Sequence, residues 1–277
     1  MTFEAFYLPA ATGQRFCLFH QPEAHNARRG AVVYVHPFAE EMNKSRRMAA
    51  LQARALALAG YAVLQIDLHG CGHSSGDFGD ATWESWVEDI GLACVWLQQR
   101  SDAGLWLWGL RTGCLLACAA ATRISQPSKL LLWQPVVSGK QFLQQFLRLK
   151  IAGEMLGGDT KGSKDLMDRL RDQLAQGVAV EIAGYLMSPA LANGLERAEL
   201  APSARSSAQI EWMELSSKPD AGMSPLASTR LEKWKSLGLS ARGTTVCGPA
   251  FWQTAEIAEC PALLEASILA MSAGLST

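Results

Sequence analysis

The residues best placed to do chemistry lie in the segment Trp108-Gly109-Leu110-Arg111-Thr112-Gly113. An apolar strand that runs into G-x-S-x-G is typical of a sharp strand-to-helix turn that presents a nucleophilic serine, because the two glycines allow a tight turn. Arg111 occupies the position of that serine. A guanidinium is charged at physiological pH and is not a nucleophile. We therefore predict a turn of the kind that presents a nucleophile, but without a nucleophilic side chain at its centre.

A serine of this kind also needs a carboxylate and a histidine, which follow it along the chain. Asp220 comes after a predicted strand and occupies the acid position. The histidine position, in the loop at residues 248–253, holds no histidine, because the last histidine of the chain is His73. We predict no standard triad. Asp220 is then either a remnant of the triad or a solvated turn residue, and Glu256 is a possible acid or base.

Two backbone amides are predicted to favour an anion beside Arg111. Pro37 supplies no N–H group, but Phe38 keeps its own, and Thr112 lies at a helix N-terminus, where N–H groups and the helix dipole attract negative charge. A guanidinium can hold a carboxylate or phosphate through two parallel hydrogen bonds. The remaining residues that we predict to line this pocket are His36, Trp252 and Gln253.

Arg111 also admits a purely structural interpretation. A buried arginine needs a negative partner, and Glu256, Glu259 or Asp220 could neutralise it in a salt bridge. The alternative partner is a ligand anion. The two interpretations are compatible if the salt bridge shapes the floor of a pocket.

Composition excludes several classes of partner. The chain has 277 residues with 25 basic and 26 acidic side chains, a formal net charge of -1, which gives no electrostatic reason to expect nucleic acid or an anionic membrane surface. No apolar stretch is long enough for stable membrane insertion. The N-terminal residues lack a basic region followed by an apolar run. We expect a cytoplasmic protein and leave its oligomeric state open.

Cysteines and histidines indicate neither disulfides nor a metal. The seven cysteines form no C-x-x-C pair and lie mostly in apolar segments, which is typical of buried free thiols in a reducing compartment. The spacing His69-x-Cys71-x-His73 has no fourth ligand elsewhere. We therefore predict no metal and no cofactor.

The elements that must position these residues alternate between strands and helices. Short Val/Ile/Leu-rich strands separated by amphipathic helices predict an α/β fold, with a mostly parallel sheet of about eight strands covered on both faces. The predicted strands are residues 3–8, 15–20, 31–35, 61–66, 105–108, 129–133, 209–215 and 243–247. The predicted helices are residues 45–59, 83–99, 114–122, 141–156, 164–176, 189–200, 225–237 and 261–273.

The alternation stops in the segment that follows the sixth strand. Residues 138–202 show no convincing strand, so we predict a helical cap at 140–205, inserted between core segments 1–139 and 206–277. Ser45, Ser163 and Ser188 are predicted helix N-caps. An apolar stripe at helical spacing would pack on the core and, in a lid, would line an acyl-sized pocket. It consists of Phe142, Leu143, Phe146, Leu147 and Met155.

Four segments together resemble a known family. They are residues 36–47, which begin His36-Pro37-Phe38, residues 67–74, which begin Asp67-Leu68-His69-Gly70, the turn 108–111, and residues 248–260. With them, nearly the whole chain resembles an α/β-hydrolase of the serine-aminopeptidase-like branch. More narrowly, it is similar to hydrolase 2 of the exosortase A system of exopolysaccharide-producing bacteria. The resemblance implies an α/β-hydrolase fold and a bacterial setting beside polysaccharide synthesis and protein sorting.

Two functional hypotheses follow for the site. The first is a degenerate hydrolase, a pseudoenzyme that binds a small acyl or anionic ligand, or a protein of the exopolysaccharide and exosortase pathway, without turnover. The second is an active esterase, thioesterase or acyltransferase with a non-serine mechanism, in which Glu256 or Asp220 activates water. The missing serine and histidine favour the first.

Overall fold

A computed structural model describes residues 3–23, 29–126, 128–156, 163–203 and 207–273. His25 and the side chains of Met155 and Ser163 lie outside the described part. The described strands are β1 (Phe3–Pro9), β2 (Gln14–His20), β3 (Gly30–Val35), β4 (Tyr61–Ile66), β5 (Leu105–Leu110), β6 (Ser128–Trp133), β7 (Val180–Ile182), β8 (Tyr185–Met187), β9 (Ser207–Ser216) and β10 (Ala241–Cys247). The described helices are α1 (Glu40–Leu58), α2 (Trp83–Gln98), α3 (Gly113–Ala121), α4 (Gly139–Leu156), α5 (Ser163–Ala175), α6 (Pro189–Arg197), α7 (Pro225–Ser236) and α8 (Pro261–Ser272).

One eight-stranded sheet organises the molecule, with strand order β1-β2-β4-β3-β5-β6-β9-β10. β2 pairs antiparallel with β1 and with β4, and the neighbouring strands in the order β4-β3-β5-β6-β9-β10 all pair parallel. The prediction of a mostly parallel sheet of about eight strands is confirmed. Because the parallel strands point the same way, the loops that carry Phe38, Arg111 and Trp252 all leave the same edge of the sheet.

Helices cover both faces of this sheet, and strand β5 shows the division. Leu105 and Leu107 belong to the apolar core under α2, α3 and α7, whereas Trp106 and Trp108 belong to the core under α1 and α8. Successive side chains of a strand point to opposite faces, so an uninterrupted apolar strand fills both cores. Among the described helices, none is both long and apolar enough to cross a bilayer.

The segment between β6 and β9 contributes no strand to the main sheet. It contains α4, α5 and α6, but also a small antiparallel hairpin of β7 and β8, so the expectation of no strand there was wrong. Ser188 accepts a hydrogen bond from the Leu191 N–H, which confirms it as the N-cap of α6. The stripe on α4 is buried at Phe142, Leu143, Phe146 and Leu147.

Helix α1 begins earlier than its sequence indicated. It starts at Glu40, and Ser45 lies one turn inside, where its hydroxyl donates to the Glu41 carbonyl. The prediction of Ser45 as an N-cap was therefore wrong. The early start puts two carboxylates in the first turn, where the helix dipole favours negative charge. Glu41 thereby reaches the turn after β5.

A buried ion pair joins the antiparallel hairpin to the core. Arg15 donates from Nε to Asp89 Oδ1 at 2.7 Å, and both side chains are at most 4% exposed. The second carboxylate oxygen of Asp89 accepts the His69 N–H at 2.8 Å, and Arg15 Nη1 donates to the Thr12 carbonyl at 2.8 Å. One buried ion pair therefore joins strand β2, helix α2 and the loop after β4, and both oxygens of its carboxylate accept hydrogen bonds.

We expect Asp89→Ala to lower the free energy of unfolding by about 3 to 5 kcal/mol, because it strands the buried Arg15 guanidinium. Glu84→Ala is the matched control on the same helix, since Glu84 pairs with Arg123 in an exposed ion pair, and it should cost at most about 1 kcal/mol. Urea denaturation of the three proteins measures both effects. Equal losses in the two variants would contradict a special role for the buried pair.

Candidate functional site

The turn between β5 and α3 at residues 109–113, called the elbow below, has the geometry of the turn that presents a nucleophile in G-x-S-x-G. Arg111 adopts φ +55°, a left-handed conformation that non-glycine residues rarely take. Neither flanking glycine has room for a side chain, because a Cβ atom would lie 2.7 Å from Cys114 backbone atoms at Gly109 and 2.3 Å from the Val35 carbonyl oxygen at Gly113. The glycines are thus required by close packing.

The Arg111 guanidinium is held between a carboxylate and an indole. Its Nε and Nη2 both donate to Oε1 of Glu41 at 3.2 Å, and its central carbon lies 5.3 Å from the centroid of the Trp252 ring. The prediction of Glu256, Glu259 or Asp220 as the protein partner was wrong, because the early start of α1 brings Glu41 to the elbow instead. Both members of the pair remain about one fifth exposed, at 19% and 20% of the side chain.

The Glu41 carboxylate is only half satisfied. Its Oε1 takes both bonds from Arg111, whereas its Oε2 is buried and has no hydrogen-bond partner among the described residues. Burial raises the pKa of Glu41 above its ordinary value, and the Arg111 charge offsets only part of that rise. The carboxylate therefore lies at the elbow without being firmly bound there.

The two predicted anion donors are both placed near the elbow by their elements. Phe38 precedes α1 in the loop after β3, and Thr112 is the N-cap residue of α3. Neither backbone N–H donates to an acceptor within the described ranges. Thr112 is 1% exposed, and its buried hydroxyl also lacks a partner among those residues. The loop is strained next to Phe38, since Ala39 has φ +50°.

Aromatic side chains fill the space between the elbow loops and α4. The Phe38 ring lies 5.1 to 5.7 Å from the rings of Phe78, Trp86, Phe142 and Phe146, mostly edge to face. Arg111 lines none of five well-formed clefts, of about 190 to 540 Å³, that the described residues make. On the apolar stripe of α4, Phe142 and Phe146 therefore pack against Phe38, whereas Leu143 and Leu147 line a separate cleft of about 270 Å³ between α4, α5 and α6.

His36 performs a structural role in the loop after β3. It is buried, and its Nδ1 lies 2.8 Å from the Pro37 carbonyl oxygen, while its Nε2 accepts the Leu68 N–H at 3.2 Å. Since Nε2 accepts, Nδ1 carries the proton and donates it. Burial lowers the pKa of His36, which favours this neutral form. The ring ties the Phe38 loop to the end of β4.

The remaining predicted residues make no hydrogen bond or ion pair with Arg111 within the described part of the chain. Asp220 is exposed on a turn after β9 with φ +57°. Glu256 and Gln253 are exposed on the loop after β10, and Glu259 on that loop pairs with Arg47 of α1. None of the acidic residues among these forms an ion pair with Arg111 within the described part of the chain. Among the described residues of this loop, Trp252 is the one whose ring contacts the guanidinium.

Sequence reasoning missed two residues of the site, Glu41 and Tyr185. The Tyr185 hydroxyl, on β8, donates to Oε2 of Glu40 at 3.0 Å and accepts from Asn43 at 3.2 Å, so the small hairpin is joined to the first turn of α1. The signal for Glu41 was the acidic pair Glu40-Glu41, which is typical of a first helical turn. No local pattern indicated Tyr185.

Comparison with known proteins agrees with this architecture. The family model described as serine aminopeptidase, S33 matches residues 26–176, more than half of the chain. Est1E from Butyrivibrio proteoclasticus, in a structure with ferulic acid bound, is 15% identical with a TM-score of 0.70 over 99% of this chain and 100% of that one. A proline iminopeptidase-related protein from Thermus thermophilus is 20% identical with a TM-score of 0.59, over 99% and 98%.

A third similar structure is XC6422 from Xanthomonas campestris, described as an α/β serine hydrolase without a lid, at 14% identity and a TM-score of 0.58 over 99% of this chain and 93% of that one. At such identities the likeness shows the fold alone. A search of curated protein sequences gives no significant match. The family model and the eight-stranded sheet agree, and the chain belongs to the serine aminopeptidase S33 family of α/β-hydrolase-fold proteins.

Proposed function

We propose that this protein is a degenerate α/β-hydrolase, which binds a small acyl or anionic ligand at the elbow and does not hydrolyse it. The observation that carries the proposal is Arg111 in the left-handed conformation of the nucleophile, paired with Glu41 and stacked on Trp252. Covalent catalysis requires a nucleophile with an adjacent base. The loop after β10 places an indole, and no imidazole, beside the elbow.

The anion-binding half of the proposal is supported by the donors around Arg111. The Nη1 group of Arg111 makes no hydrogen bond to a described residue, and the amides of Phe38 and Thr112 are also uncommitted there. A guanidinium, a helix N-terminus and free N–H groups favour negative charge. The site is reachable because the Arg111 side chain keeps a 19% exposed fraction.

Two finer aspects of the proposal rest on resemblance. The likeness of residues 36–47 and 248–260 to exosortase-associated hydrolase 2 supports a role in a bacterial exopolysaccharide or exosortase system, with a small ligand or a protein of that pathway as partner. A cytoplasmic location is a separate expectation, which cysteine usage supports. The Est1E structure contains ferulic acid, which is a carboxylic acid. From that structure, our proposal takes only the chemical class of the ligand, a carboxylic acid. The alternative, hydrolysis by water that Glu256 or Asp220 activates, has no support from their exposed positions.

We expect no hydrolysis of p-nitrophenyl butyrate above background and no labelling of the native protein by a serine-directed fluorophosphonate. Arg111→Ser should remain inactive, because a serine hydroxyl without a neighbouring base is a weak nucleophile. Colorimetric rates and mass spectrometry measure the two outcomes. Turnover by the native protein, or stoichiometric labelling of any one serine, would show that the reactive centre lies elsewhere.

We expect Arg111→Met to lower the free energy of unfolding by about 1 to 2 kcal/mol, because Glu41 must then either stay buried without its partner or give up its packed position for solvent. The double variant Arg111→Met/Glu41→Leu should recover much of this loss, since neither charge then remains. Urea denaturation of both single variants and the double variant gives the coupling energy. Additive losses would mean that the pair contributes nothing to folding.

The cost of Arg111→Met should depend on pH. Without Arg111, the pKa of Glu41 rises further above the unfolded value of about 4.3, so the folded protein holds a proton that the unfolded chain releases. The free energy of unfolding that Arg111→Met loses at about pH 8 is then regained as the pH falls through the pKa of Glu41 in the folded variant, towards about pH 5. The stability of Glu41→Leu should lack this dependence, because the variant has no carboxyl group at position 41 and Arg111 is charged throughout. A pH-independent Arg111→Met deficit would contradict the burial of Glu41.

A further inference from the structure

Glu41 contacts Arg111 with poor geometry for a charged pair. Both donors converge on one oxygen at 3.2 Å, whereas charge-assisted hydrogen bonds are commonly about 2.7 to 2.9 Å and a guanidinium can engage both oxygens of a carboxylate. The same chain shows the tighter arrangement at Arg15 and Asp89, at 2.7 Å, with the second oxygen also satisfied. The elbow pair is the looser of the two.

The second oxygen of Glu41 adds a cost to the closed arrangement. Oε2 is buried without a partner among the described residues, and a buried polar atom that lacks a hydrogen bond is destabilising. If the Glu41 side chain turned towards solvent, water would satisfy that oxygen. Its 20% exposed fraction shows that solvent already reaches the side chain.

Two contacts hold Arg111 itself in place. The Trp252 ring stacks on the guanidinium and is 5% exposed, and the Arg111 backbone N–H donates to the Trp133 carbonyl at 2.9 Å. Arg111 thus stays in place when Glu41 leaves, with Nε and Nη2 directed at whatever replaces it. The position that Glu41 would leave suits a carboxylate, because the Glu41 carboxylate occupies it in this structure.

We propose that Glu41 is an internal ligand of the elbow, and that the protein binds small carboxylates by exchanging the Glu41 carboxylate on Arg111 for the carboxylate of the ligand. This deepens the proposed function and rests on it. The ligand carboxylate uses both of its oxygens on the guanidinium, while Glu41 moves to solvent. The chemical class is a monocarboxylate, because a carboxylate is the group that the site holds in its closed form.

The test is calorimetric titration with acetate, benzoate and octanoate, with the corresponding neutral amides as ligand controls. We expect weak binding of at least one carboxylate to the native protein, binding at least tenfold tighter in Glu41→Gln, and none in Arg111→Met. Glu40→Gln is the matched control variant, because Glu40 is the neighbouring carboxylate of the same turn and is bonded to Tyr185 instead. Its affinity should stay within twofold of the native value.

The outcomes separate the two proposals. Native binding with no gain in Glu41→Gln would overturn the exchange and leave the proposed function standing. No binding of any carboxylate to the native protein or Glu41→Gln, or binding unaffected by Arg111→Met, would overturn both. Tighter binding of inorganic phosphate than of every carboxylate would overturn the chemical class. Should Glu41→Gln not fold, Glu41→Asp withdraws the carboxylate by one methylene and must also bind more tightly than the native protein.

Discussion

The close approach of α3 to the ends of β3 and β5 is the constraint from which the site follows. Only glycine fits at 109 and 113, since any side chain there would overlap backbone atoms of Cys114 or Val35. The chain between them can then turn only with Arg111 in the left-handed region, which costs roughly 1 to 2 kcal/mol for an L-residue. The strained turn presents the Arg111 side chain to the site, although a guanidinium cannot act as a nucleophile.

A charge in this position imposes its own requirements on the neighbouring elements. The guanidinium cannot lose its proton, so it must find negative charge or water. Helix α1 meets the need by beginning at Glu40, so that Glu41 reaches across the elbow, and the loop after β10 contributes an indole face. The same helix turn is bonded to the hairpin of β7 and β8 through Glu40 and Tyr185. The hairpin, α1 and the elbow are therefore linked through adjacent residues.

The sequence predicted the sheet well because buried parallel strands are continuous apolar runs, and β3 and β5 are fully buried. It predicted the start of α1 badly, because Ser45 has the chemistry of an N-cap and Ala39, the actual N-cap, has none. It missed the hairpin of β7 and β8, because three-residue strands are too short to show alternation. Chain order alone led to the expectation that Asp220 or Glu256 would pair with Arg111. The actual partner, Glu41, lies 70 residues upstream, and no local sequence pattern indicates such a contact.

The packing of α4 on the loop after β3 explains why the elbow is loosely paired while the rest is tightly packed. Phe38, Phe142 and Phe146 form a closed aromatic contact, which excludes water and stabilises α4 on the core. The Arg111 and Glu41 side chains lie at the rim of that contact and remain about one fifth exposed. Charges at a rim are weakly bound and can exchange partners, whereas charges sealed beneath the aromatic rings could not. The arrangement thus leaves the pair of Arg111 and Glu41 on the side of the site that solvent reaches.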